Sequence, residues 1–262
     1  MKSLVGAMVP VVAALACLAG CGKMPVAKGG GEVRAEDVGY LAPPNPDHVQ
    51  MTAHGLRLSG MAPARGRVRL ATPAGAALFA DADDKGRWTL DLGVAPEPRI
   101  YGLSVTAGGR TAQAQGYVVV TPQGQAALLR AGAGARRIDA MVRPGLRAID
   151  NDRGGGVEVS AAAPPGSTVL LHLDGRLTLQ GRADDAGRYD ASLPGPGSST
   201  AIRPGTHQLA VSGEGFSDTV TFQTAPPAPL AQGPVRSQLT DAGLRVDWMT
   251  PGGGVQSTIL VH

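Results

Sequence analysis

Apolar side chains recur at every second position along much of this chain. Leu56 and Leu58, Val68 and Leu70, and Trp88, Leu90 and Leu92 alternate with polar or small residues. Leu103 and Val105, then Val118 and Val120, continue the pattern. It resumes at Val157 and Val159, at Val169, Leu171 and Leu173, and at Tyr189, Ala191 and Leu193. Leu209, Val211, Val220 and Phe222 close the series. A period of two, interrupted by Pro, Gly and Asp, predicts short strands with one face buried.

The two series are copies of each other. Residues 59–93 align without a gap on residues 160–194 at a constant offset of 101, with 12 identities in 35 positions. The clearest block is Ala82-Asp83-Asp84-Lys85-Gly86-Arg87-Trp88 against Ala183-Asp184-Asp185-Ala186-Gly187-Arg188-Tyr189. A period this long means a duplicated domain, since solenoid repeats run to only ~20–50 residues. Six or seven strands in ~90 residues suit a small antiparallel sandwich. In the Asp-Asp-x-Gly block, Asp side chains would cap turn amides and Gly would supply the positive φ of a bulged hairpin. A calcium loop is the rival reading of Asp81 to Gly86. It needs six to eight oxygens, and the second copy has Arg182 in place of Asp81.

These motifs resemble the bacterial Ig-like domains of cell-envelope proteins. The likeness is carried by Pro164-Pro165-Gly166, Leu173-Asp174-Gly175, Ala183 to Tyr189, and Pro204-Gly205-Thr206-His207-Gln208-Leu209. The segment Tyr117 to Arg130 is similar to the linker hairpin between Ig-like modules of alphaproteobacterial periplasmic proteins that end in a LysM domain. No LysM-like segment is visible. The resemblance implies an all-β fold of two tandem Ig-like antiparallel β-sandwiches, and it speaks to fold far more than to activity.

The N-terminus breaks the pattern. Lys2 precedes an apolar run from Leu4 to Leu18, shorter than the ~20 residues that span a bilayer. It reads as a cleaved signal. Leu18-Ala19-Gly20-Cys21 resembles the lipobox of bacterial lipoproteins, which implies cleavage between Gly20 and Cys21 and lipidation of Cys21. Gly22 then leans towards the outer membrane, facing the periplasm. The expected divisions are a signal at 1–20, a flexible tether at 21–47, a first domain with its linker hairpin at 48–140, a second at 141–227, and a C-terminal hairpin extension at 228–262. That hairpin would join Leu244 to Trp248 with Val255 to Val261 around Pro251-Gly252-Gly253-Gly254, paired onto a sheet edge.

Composition removes several functions. Net charge is +3, and Arg136-Arg137 is the only adjacent basic pair outside any block, so nucleic-acid binding is not expected. Cys17 leaves with the signal and Cys21 carries lipid, so no disulfide is expected within the mature chain. G-x-S-x-G, H-E-x-x-H and C-x-x-C are missing from the mature sequence, and the histidines at 48, 54, 172, 207 and 262 are scattered. No catalytic residue, metal site, cofactor or small-molecule substrate is expected. Aromatic residues make up 3% of the chain. Trp88, Tyr189, Phe79 and Phe222 are expected in or near the cores, which leaves Trp248 and Tyr40 as candidate interaction residues. The expected function is a non-enzymatic envelope scaffold held at the membrane by lipid, with an envelope protein or peptidoglycan as partner. A peptidoglycan- or polysaccharide-binding envelope module is the alternative.

Overall fold

A computed structural model describes residues 40–139, 143–195, 197 and 202–262. Among them lie nineteen strands and no helix. The first sandwich is built from β1 (Asn45–Thr52), β2 (Gly55–Met61), β3 (Arg67–Ala71), β4 (Ala77–Asp81), β5 (Arg87–Gly93), β6 (Arg99–Ala107) and β7 (Arg110–Val120). One sheet runs β1-β2-β5 and the facing sheet β4-β3-β6-β7, all antiparallel. The order is that of an Ig-like sandwich in which the fourth strand pairs with the third instead of joining the opposite sheet. The alternating residues fill the space between: Leu56, Leu58, Val68, Leu70, Trp88, Leu90, Leu92, Leu103, Val105, Val118 and Val120 form one buried cluster.

The second sandwich repeats the plan. Its strands are β10 (Gly145–Asp152), β11 (Val157–Ala162), β12 (Thr168–Leu173), β13 (Arg176–Arg182), β14 (Arg188–Ser192), β15 (Gly205–Gly213) and β16 (Phe216–Thr224). β10-β11-β14 matches β1-β2-β5, and β13-β12-β15-β16 matches β4-β3-β6-β7. The offset of 101 holds from β2 and β11 through β5 and β14; more residues then separate β14 from β15 than β5 from β6. Val157, Val159, Val169, Leu171, Tyr189, Leu193, Leu209, Val211 and Phe222 line the second core.

Each sandwich carries an addition on a different sheet. The first gains β8 (Ala126–Leu129) and β9 (Arg136–Arg137) beside β7. The second gains β17 (Val235–Thr240), β18 (Gly243–Met249) and β19 (Val255–Val261), with β19 paired to β10. The two extended sheets pack face to face around a third core of Ile100, Val119, Ala127, Leu129, Ala135, Ala148, Leu244, Val246, Trp248 and Leu260. Strand alternation makes this possible. Val118 and Val120 point into the first core while Val119 points into the third; Ala126 and Leu128 divide from Ala127 and Leu129 in the same way. On β19, Ile259 and Val261 serve the second core and Leu260 the third. The four sheets therefore stack as one body with three apolar layers.

Several expectations change here. β1 opens at Asn45, inside the stretch expected to be tether, and Pro44 and Pro46 are buried. The C-terminal extension, expected as a hairpin, has three strands: β17 precedes β18 and β19, and its polar sequence and exposed face gave no apolar alternation to find. Phe79, expected near a core, stands half exposed on the edge strand β4 with the Arg67 guanidinium 4.8 Å above its ring.

Candidate interaction surfaces and the joint between the sandwiches

Gly20 and Cys21, the expected cleavage and lipidation residues, lie outside the described residues. Of the two candidate interaction residues, Tyr40 is exposed. Trp248 is not available to any ligand. Its side chain has no solvent exposure, its ring meets Tyr117 edge-on at 6.0 Å, and its Nε1 donates to Thr258 Oγ1 at 3.1 Å. The expectation failed because Trp248 lies outside the duplicated segment, and the third core that consumes it belongs to neither copy.

The Asp-x-x-Gly blocks are turns, built the same way twice. Asp83 Oδ1 accepts from the amides of Lys85 and Arg87, each at 2.8 Å. Asp184 Oδ1 accepts from Ala186 at 2.9 Å and Arg188 at 2.8 Å. The Arg87 amide is the main cause holding the Asp83 carboxyl below its ordinary range, as the Arg188 amide is for Asp184. Gly86 and Gly187 follow with φ of +79° and +73°. Asp83 Oδ1 and the Asp83 carbonyl are thus engaged with the turn's own backbone, the carbonyl taking the Gly86 amide. Among the described residues no group of three or more His, Cys, Asp or Glu could hold a metal ion.

His207 takes a packing position beside Phe222 and also bonds at both ring nitrogens, to Asp174 Oδ2 at 2.8 Å and the Arg203 carbonyl at 2.7 Å. Burial alone would pull its pKa down, but those two bonds together raise it. Asp174, in the left-handed region at φ 51°, also accepts the Gln208 amide. The pair clamps the β12–β13 turn to the start of β15.

Polar chemistry concentrates at the joint, where a strap of residues 130–139 runs from β8 to the second sandwich. Asp150 on β10 is 1% exposed. Its Oδ2 accepts the Ala135 amide at 2.7 Å; its Oδ1 accepts from Gln256 Nε2 at 3.2 Å and from the Thr258 hydroxyl. Burial raises its pKa to about 6 against the pull of those three donors. The Ala135 carbonyl in turn accepts from Ser160 Oγ at 2.8 Å. Arg130 closes the edge, with Nη2 on Asp190 at 3.1 Å and Nε on the Gly134 carbonyl at 2.8 Å. On the opposite face of the same sheet, Asp247 is buried among Arg236, Arg245 and Ser257, whose hydrogen bonds overcome its burial and lower its pKa. Nothing in the sequence marks Asp150 and Asp247 as buried, because a charged residue in an alternating strand ordinarily faces water. The available signal was the near-continuous apolar run Thr258 to Val261, which marks a strand covered on both faces.

Two surface features remain. A cleft of about 560 Å³ runs between the sandwiches, with Tyr101, Tyr117, Met249 and Pro251 among its walls. At the tip of the first sandwich, Met51 and Val94 are strongly exposed around a hollow of about 130 Å³. β1 enters from the Tyr40 side and ends beside Met51, so its eight residues place this tip ~25 Å from where the chain enters.

No protein-family model matches the sequence, and no curated protein matches it. Among solved structures, the chain is similar to one described as "Biofilm associated protein - BSP domain", with 16% identity and a TM-score of 0.23. That alignment covers 72% of this chain and 30% of the other. It is also similar to the "Central Fibronectin-III array of RIM-binding protein", with 12% identity, a TM-score of 0.26, and 83% and 89% of the two chains covered.

Proposed function

We propose that this protein is a non-enzymatic, lipid-anchored scaffold of the bacterial cell envelope, a rigid pair of sandwiches that presents a protein-binding tip away from the membrane. The observation that carries the reading is the third core, which joins two sandwiches that would otherwise pivot on a linker. A rigid pair fixes both distance and orientation, which suits a module whose work is to hold a partner in place. The anchor is Cys21, cut free behind Gly20. Two acyl chains suffice for stable attachment, since each buried CH₂ contributes ~0.8 kcal/mol and firm anchoring takes two hydrophobic signals. The partner is an envelope protein met by Met51 and Val94 at the far tip, in the periplasm on the outer-membrane side. With Trp248 consumed by the joint, the polysaccharide reading loses its best aromatic platform.

Fractionation of cells producing the wild-type and Cys21→Ser chains tests the anchor. The wild type should sediment with membranes, and the variant should be released from the membrane on extraction with its signal uncut. A variant that stays membrane-bound through extraction contradicts the lipid anchor. Crosslinking in intact cells tests the tip: adducts captured by the wild type should be lost with Met51→Lys and Val94→Asp together, while the fold is kept.

A further inference from the structure

Asp150 is a buried carboxylate without a cation among its hydrogen-bond partners. All three of its donors are neutral, and they come from separate parts of the chain: the strap through Ala135, and β19 through Gln256 and Thr258. The charged groups around it do not neutralise it directly. Arg130 of the strap is committed to Asp190 of β14 and to the Gly134 carbonyl. Glu158 of β11 accepts from Ser192 Oγ at 2.7 Å, and Asp152 of β10 from the Gly156 amide at 2.9 Å. β19 contributes no titratable side chain, and on β18 Arg245 and Asp247 face the other side of the sheet, where they bond each other and Ser257.

We propose that the joint is a proton-operated latch: protonation of Asp150 tightens the strap onto the second sandwich, and loss of the proton loosens it. The chemistry is local. The protonated acid can donate to Thr258 Oγ1, whose hydroxyl turns from donor to acceptor while still receiving the Trp248 N–H, and the other carboxyl oxygen keeps the Ala135 amide. The ionised acid keeps all three donors, yet it leaves a full charge in a closed apolar layer, which costs more than neutral hydrogen bonds return. Opening the strap lets water reach that charge. The sign follows from the raised value of about 6 in the closed state against the ordinary carboxylate. Below about pH 4 closed and open forms are both protonated, and the closed form carries no penalty. Between there and about pH 6 the open form ionises first, so closure weakens as pH rises. Above that the penalty is complete, at about a hundredfold in the closing equilibrium.

Amide hydrogen exchange of the full chain, corrected for intrinsic rates and read at pH 5 and pH 7.5, tests the latch. In the wild type the opening constant at the Ala135 amide should rise about tenfold over that range, while the Val118 amide in the first core stays constant. In Asp150→Asn, which keeps the shape and cannot ionise, the Ala135 value should not change with pH. A wild type without the rise, or a variant that keeps it, overturns the proposal. Should the variant fail to fold, the Asp150 carboxyl carbon in the wild type decides by NMR titration. A midpoint above pH 5 supports the latch, and a midpoint in the ordinary carboxylate range overturns it.

Discussion

Replacing Trp248 by alanine removes the largest side chain of the third core. The residue has no solvent exposure, packs edge-on against Tyr117 at 6.0 Å, and donates its indole N–H to Thr258. Truncation of a buried aromatic ring costs about 3–5 kcal/mol, because the cavity left behind closes only in part. The edge-on pair adds about 0.5–1.5 kcal/mol beyond burial and the hydrogen bond about 1 kcal/mol, and both fall within that range. The loss should be borne at the joint and on β18–β19, which also supply Ile259 and Val261 to the second core. The assay is urea unfolding followed two ways. Tryptophan fluorescence reports the first sandwich and the joint in the wild type and, since only two tryptophans exist, the first sandwich alone in the alanine variant; far-UV circular dichroism reports both sandwiches. In the wild type the sandwiches should unfold together. In Trp248→Ala the second should unfold first, with its midpoint lower by about 1–2 M urea at a slope of about 2–3 kcal/mol/M. Trp248→Phe should recover most of the loss. An alanine variant whose two signals still coincide at the wild-type midpoint would refute the coupling.

Two other features predict measurable effects. A methyl group on Gly86 would lie 2.3 Å from the Ala62 carbonyl oxygen and on Gly187 2.6 Å from that of Ala163, both at positive φ. Gly86→Ala and Gly187→Ala should each cost more than about 1 kcal/mol in thermal or urea unfolding. Gly75→Ala, at φ +93° with no atom within 4 Å, should cost less; equal losses would show that close approach is not the cause. His207 has a raised pKa in the folded state, so its clamp contributes fully below the ordinary histidine value and is lost as pH rises through the higher folded one. Protection of the Gln208 amide should therefore fall as pH rises past the ordinary histidine value, and His207→Ala should remove that dependence.

Much of the fold was legible because each copy is a closed sandwich with one wet face per sheet. Leu56, Val68, Trp88 and Leu103 alternate with polar neighbours, and their counterparts Val157, Val169, Tyr189 and Leu209 do so 101 or a few more residues later. Asp83 and Gly86 announced a turn because an Asp side chain caps turn amides and Gly takes positive φ without steric cost. The joint was harder to see for a physical reason. Its polar members, Asp150, Gln256 and Thr258, are buried by satisfying one another and the Ala135 amide, and a sequence lists residues without showing such pairing. The alternation of Leu244, Val246 and Trp248 with Arg245 and Asp247 looked like a strand with one solvent face. Asp247 is in fact buried because Arg236, Arg245 and Ser257 supply its hydrogen bonds. Val118-Val119-Val120 and Ala126 to Leu129 carried the plainest hint, since a strand apolar at consecutive positions is buried on both faces.

Residual dipolar couplings of the backbone amides put the rigid pairing to its most direct test. If the third core fixes the two sandwiches as one body, a single alignment tensor will fit the amides of residues 45–139 and 145–261 together. Two tensors of different magnitude or orientation, one for each sandwich, would mean that the sandwiches move independently as a tethered pair.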